Sequence, residues 1–135
     1  MKLNKIEKID EKICRQMLKV ANENLRNKYT KSGNGYYVSV LTKKGNIYAG
    51  ASYCSDTYTL TMHSEAVALT HAAQHGETNI IAITGPNCHI CKQLIYENAL
   101  RTGNDILIIF EEEGQIKQIP ISQLMIYPWP DKPIL

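Results

Sequence analysis

Apolar residues return at helical intervals through the opening of the chain. Ile6, Ile9, Ile13, Met17, Val20 and Leu25 share one face and predict a helix from about Lys5 to Asn27. The turn formers of Thr30 to Gly35 (TKSGNG) break it. Tyr36 to Thr42 (YYVSVLT), rich in aromatic and β-branched residues, reads as a strand, and Lys43 to Asn46 (KKGN) as a hairpin turn into a second strand, Ile47 to Ser52. After a polar loop, the Ala-rich stretch Ser64 to His75 has the character of a buried helix closed by Gly76. Ile80 to Thr84 is a short apolar run bounded by turn residues, hence a buried strand. Helical spacing resumes from Cys88 to Leu100 through Cys91, Leu94 and Ile95, with Gly103 just beyond. Ile106 to Phe110 reads as another buried strand, Ile116 to Ile119 as a short edge strand, and Ser122 to Leu135, with three prolines, as an irregular tail. Strands alternating with helices in the second half imply parallel pairing and a layered α/β domain, and the opening hairpin makes the sheet mixed.

Nothing in the chain suggests a second domain. There is no internal repeat, low-complexity tract or long linker, and 135 residues that are 44% apolar suffice for one core, so residues 1–135 are expected to form a single domain. The net charge is only +2, and the basic excess before Lys44 alternates with acids as on a solvated helix face. That pattern argues against a nucleic-acid binder, which gathers Lys and Arg into one patch. The N-terminus lacks the apolar core of a signal peptide, and the longest apolar run, Ile106 to Phe110, is too short to span a bilayer. A soluble cytoplasmic protein with no membrane partner is the expectation. Cys14, Cys54, Cys88 and Cys91 fit that compartment, and a thiol pair separated by two residues points to metal or redox chemistry.

Two short motifs carry the candidate chemistry: His63-Ser64-Glu65 at the start of the second helix and Cys88-His89-Ile90-Cys91 at the start of the third. Zn²⁺ favours nitrogen and thiolate ligands in a tetrahedron, and a catalytic zinc keeps one position for water. His63, Cys88 and Cys91 supply three such ligands at helix starts, where free N–H groups and the helix dipole favour thiolates. Glu65, two residues after the histidine, is better placed to reach a water on the ion than the ion itself, and can move protons to a ring nitrogen and a leaving amine. A lone C-x-x-C is weak evidence and H-x-E weaker, but in this order and spacing they form a strong joint signal. Cys14 is read as core. His71 and His75, four apart, are read as surface or capping residues, because one zinc site already accounts for the chemistry.

The chain resembles the cytidine deaminase superfamily, in particular the small free-nucleoside cytidine deaminases and their blasticidin S deaminase relatives. VLTKKGNIYAG is similar to the family's hairpin, YTLTMHSEAVAL to its first metal helix, CHICKQLIYE to its cysteine helix and QLMIYPWP to its C-terminal stretch. The motif order also matches the signature of zinc deaminases, H-x-E followed by P-C-x-x-C. The resemblance implies a three-layer α/β/α fold with a five-stranded mixed sheet. It further implies one Zn²⁺ per subunit on His63, Cys88 and Cys91, Glu65 as the proton shuttle, a nucleoside or nucleoside-like substrate, and a homotetramer or homodimer.

Departures concern the substrate. The family's ribose-binding Asn-x-Glu falls on Ser52, Tyr53 and Cys54, so a thiol replaces a carboxylate. The base-stacking aromatic falls on Asn34, with Tyr36 or Tyr37 able to supply a ring after a small shift, and Asn87 rather than proline precedes the first cysteine. Trp129, the one tryptophan, either reaches a neighbouring subunit's pocket or staples the tail to its own core. The expected activity is hydrolytic deamination of cytidine or deoxycytidine. Two alternatives stand beside it: the same chemistry on another amino-heterocycle, and a non-catalytic structural zinc with Cys54 as fourth ligand.

Overall fold

The computed structural model describes residues 2–23 and 35–135. The expected end of the first helix, with Leu25 and Asn27, most of the following turn, and Asn34 lie outside them. Five strands form one sheet: β1 (Tyr37–Thr42), β2 (Ile47–Ala51), β3 (Ile80–Thr84), β4 (Leu107–Glu112) and β5 (Gln115–Pro120), in the order β2-β1-β3-β4-β5. The β3–β4 pair is parallel and the other three are antiparallel, so the sheet is mixed.

Helix α1 (Glu11–Glu23) covers one face. It begins at Glu11 rather than near Lys5, because Asp10 opens it: Asp10 Oδ1 accepts the Lys12 N–H at 2.8 Å, and its carbonyl accepts those of Ile13 and Cys14. The residues before Asp10 are tied elsewhere. Gln118 on β5 bonds both the N–H and the C=O of Ile9, and Asn4 donates to the Gly103 carbonyl. Ile6 and Ile9 still pack against the core, but from this non-helical segment, which is why their spacing imitated a helix. Cys14 and Met17 of α1 meet Leu41, Ala82, Leu107 and Ile109 of the sheet.

Helices α2 (Ser64–Gln74), α3 (His89–Thr102) and the short α4 (Ile121–Leu124) cover the opposite face. Ile108 alternates with Leu107 and Ile109, so β4 is apolar on both sides and sandwiched between layers. Ala68 and Ala72 let α2 lie directly on β2: a Cβ at Gly50 would come 2.3 Å from Ala68 N and 2.6 Å from Ser64 O. The expected three-layer α/β/α fold is the one formed. The tail contains α4 where an irregular segment was expected, since Ile121 is fully buried and the Asp105 carboxylate receives the Ser122 N–H and hydroxyl.

Buried Glu77, between α2 and β3, is a polar anchor that the pattern of apolar residues did not reveal. It accepts hydrogen bonds from Thr42 at 2.6 Å, Asn46 at 2.9 Å and the Tyr48 hydroxyl, tying the β1–β2 turn to the end of α2. The Thr42 and Tyr48 bonds, followed by that of Asn46 and the Lys44 charge, hold its carboxyl below the ordinary value against an opposing effect of burial. Among the described residues no helix is long and apolar enough to cross a membrane.

Candidate active site

The two motifs meet where α2 and α3 begin. His63 is the N-cap residue of α2, with an extended backbone and no side-chain capping bond, so its ring is available to face α3. Cys88 is the N-cap residue of α3, and its Sγ accepts the Cys91 N–H at 3.5 Å. One helical turn therefore brings both sulfurs to the same end of α3. His63 Nδ1 stands 3.6 Å from Cys88 Sγ and 3.2 Å from Cys91 Sγ, and all three ligand atoms lie within 4.8 Å of one another. Neither Cys54 nor Glu65 belongs to this group.

Burial, then the negative charge of Glu65 and the neighbouring Cys88, push the Cys91 thiol far up. A metal cation would reverse this balance, because it favours the thiolate that burial penalises. Two sulfurs and one imidazole nitrogen converging on one point are the donor set that zinc prefers, so these residues fit the ion.

Glu65, in the first turn of α2, is 6% exposed. Ser64 Oγ donates to its Oε1 at 2.8 Å, and Asn87 Nδ2 donates to its Oε2 at 2.8 Å. His63, Glu65 and Cys88 open on a cavity of about 340 Å³ walled by Tyr36, Tyr37, Val38, Ser52, Cys54 and Met62, among others. Glu65 is the one carboxylate among its described lining residues, which include no Lys or Arg.

The candidate substrate contacts are distributed unevenly. Cys54 lies on the cavity wall. Ser52 does too, but its Oγ accepts the Tyr36 N–H at 3.0 Å and its own N–H bonds the Tyr36 carbonyl, so the side chain extends the hairpin pairing. Asn34 is outside the described residues, while Tyr36 and Tyr37 both reach the cavity. Trp129, 73% exposed, lines a separate groove of about 280 Å³ with Glu97, Arg101 and Pro133, and its carbonyl accepts from Gln93. His71 and His75 lie away from the thiol cluster, with each Nδ1 2.9 Å from a main-chain carbonyl. The Asn87 contact was not expected: its sequence signal was the polar residue in a proline's place.

Residues 8–103 match the family model described as the cytidine and deoxycytidylate deaminase zinc-binding region. The chain belongs to the cytidine deaminase superfamily. Curated cytidine deaminases of Yersinia pestis (strain Pestoides F) and Yersinia pseudotuberculosis serotype O:1b are each 39% identical over 70 residues. That stretch is 49% of this chain and 23% of the relative, so the match spans under a quarter of those proteins. Among solved structures, the cytidine deaminase from Burkholderia pseudomallei superposes with a TM-score of 0.69 at 18% identity, covering 87% of this chain and 97% of its own. The cytidine deaminase from Mycobacterium tuberculosis does so with a TM-score of 0.70 at 15% identity, covering 91% and 99%. At such identities the superpositions establish that this superfamily member has the cytidine deaminase fold.

Proposed function

We propose that this chain is a zinc-dependent hydrolytic deaminase that converts cytidine or deoxycytidine, with water, to uridine or deoxyuridine and ammonia. The observation that carries the reading is one juxtaposition: a His–Cys–Cys donor set beside a buried carboxylate, with His63, Cys88 and Glu65 lining the same cavity. His63, Cys88 and Cys91 hold one Zn²⁺ per subunit. When bound, zinc lowers the pKa of a coordinated water toward neutrality. Glu65 lines the same cavity as His63 and Cys88, and its charge reaches the Cys91 thiol, which supports its carboxylate as the group that serves the reacting water. With zinc bound, the Glu65 carboxylate would take one proton from the attacking water and give it to the ring nitrogen as oxygen adds to the amino-bearing carbon. It would then take the remaining hydroxyl proton and give it to the amine as the C–N bond breaks and ammonia leaves. Tyr36 and Tyr37, on the cavity wall, are the aromatics available to stack on the ring.

A second substrate class is favoured by the cavity wall itself. With Ser52 engaged by Tyr36, and with a thiol at Cys54, the wall offers no carboxylate besides Glu65 to receive sugar hydroxyls. The same chemistry on another amino-heterocycle, such as a modified nucleoside or a blasticidin-like antibiotic, fits that wall. A structural zinc fits less well, because Cys54, the one ready fourth ligand, is outside the donor group. We also infer a homo-oligomer, a tetramer or dimer, on the strength of exposed apolar side chains in the segment between β2 and α2, including Tyr53, Tyr58 and Leu60.

Incubating the zinc-loaded protein with cytidine, deoxycytidine and a panel of aminopyrimidines and aminopurines tests these readings together. Falling ultraviolet absorbance with matching ammonia release identifies the substrate. Release from a panel member alone moves the assignment to the second class.

A further inference from the structure

The Glu65 carboxylate is held by more than its own helix. We propose that Asn87 is a positioning residue whose side-chain amide fixes the orientation of Glu65, an inference that rests on the deaminase reading above. Asn87 is 7% exposed and belongs to the loop between β3 and α3. Its Nδ2 gives one proton to Glu65 Oε2 at 2.8 Å and the other to the Thr84 carbonyl, at the end of β3, at 3.1 Å. Two acceptors on one nitrogen settle which way the amide faces, since a flip would set its oxygen against both of them.

That orientation has a cost visible in the fold: Asn87 Oδ1 is buried with no hydrogen-bond partner. A side chain serving only to shape the turn has no reason to leave its carbonyl orphaned while spending both amide protons. The backbone is also cut to admit it. A Cβ at Gly85 would come 2.7 Å from Asn87 Oδ1 and 2.7 Å from Ile108 Cγ2, so a side chain there would displace the amide or the buried Ile108. The result is a rigid link from the sheet through Thr84 and Asn87 to one oxygen of the carboxylate, with Ser64 Oγ on the other.

The choice of a neutral donor follows from the task. A lysine or arginine here would bind the carboxylate as an ion pair and weaken its hold on the proton that Glu65 has to carry. An amide donates without taking that proton and adds no charge beside the cysteines. It also keeps the carboxylate from swinging away from the cavity. Asn87 is not among the residues lining the cavity, so it acts through Glu65 rather than on the substrate.

Asn87→Ala and the isosteric Asn87→Asp test this, with zinc content and thermal unfolding measured on the same samples. Nitrogen–proton correlation spectra of the zinc-loaded protein come first, because they need no turnover. The Asn87 side-chain NH₂ pair should be slow to exchange with solvent and should shift in Glu65→Gln. An NH₂ pair that exchanges like a solvated amide and ignores Glu65→Gln overturns the proposal, whether or not any substrate is turned over. On whichever panel substrate the parent deaminates, both Asn87 variants should lose about 10- to 100-fold in kcat with KM little changed. Unchanged kcat in folded, zinc-loaded Asn87→Ala also overturns it. A parent inactive on every substrate instead removes the deaminase reading, and the spectra still decide the contact.

Discussion

Cys91 Sγ lies 3.2 Å from His63 Nδ1, although the two residues are 28 positions apart. The sheet makes this contact: β3 carries the chain from the end of α2 back to the start of α3, so the two helices present their N-termini to one another. A pocket of thiols beside a buried carboxylate is unfavourable for charged sulfur until a cation arrives.

Thiol reactivity should report that cation. In the zinc-loaded protein the half-exposed Cys54 reacts with a disulfide reagent, fully buried Cys14 stays silent, and Cys88 and Cys91 are protected. Removing the metal with a strong chelator should add exposed Cys88 to the reactive set, and His63→Ala should bring the same result with no chelator. Equal labelling before and after chelation would place the metal elsewhere.

Gly50→Ala should be far more damaging than its size suggests. The new methyl would meet the backbone of α2 at Ala68 and Ser64, and backbone cannot give way as a side-chain tip can. We expect a loss of about 2–3 kcal/mol in denaturant unfolding. Because the displaced helix carries His63 and Glu65, the folded fraction should also bind zinc less tightly.

Glu77 sets an acid limb of stability. Its folded-state carboxyl lies below the ordinary value of 4.5, so its contribution is fully present above that value and is lost as pH falls through the lowered one. Thermal unfolding of the parent should weaken over that acid window, whereas Glu77→Gln should begin less stable at neutral pH and show a flatter acid slope. Tyr48→Phe, which removes one of its donors, should reproduce part of the effect. Parallel pH profiles for parent and Glu77→Gln would contradict this.

The sheet was legible because strand residues such as Leu107, Ile108 and Ile109 are apolar on both faces, a pattern set by local burial. The clustering of the two thiols was legible because their spacing encodes their geometry: Cys88 and Cys91 stand one turn apart on a helix that the same residues begin. The start of α1 was misplaced because Ile6 and Ile9 keep a helical interval while the Gln118 side chain, a partner 109 residues away, claims the Ile9 backbone. Asn87 and Glu77 were hidden for a related reason. Their partners come from other elements, so neither hydrogen bond leaves a periodic trace in the chain.

Ammonia release by the parent and by Glu65→Ala, with metal content determined on the same preparations, tests the catalytic centre most directly. The parent should carry one zinc per chain and deaminate cytidine or another aminopyrimidine. Glu65→Ala should keep its zinc and lose about 100- to 10,000-fold in rate. A zinc-loaded Glu65→Ala that matches the parent, or a zinc-loaded parent inert toward every amino-heterocycle offered, would contradict it.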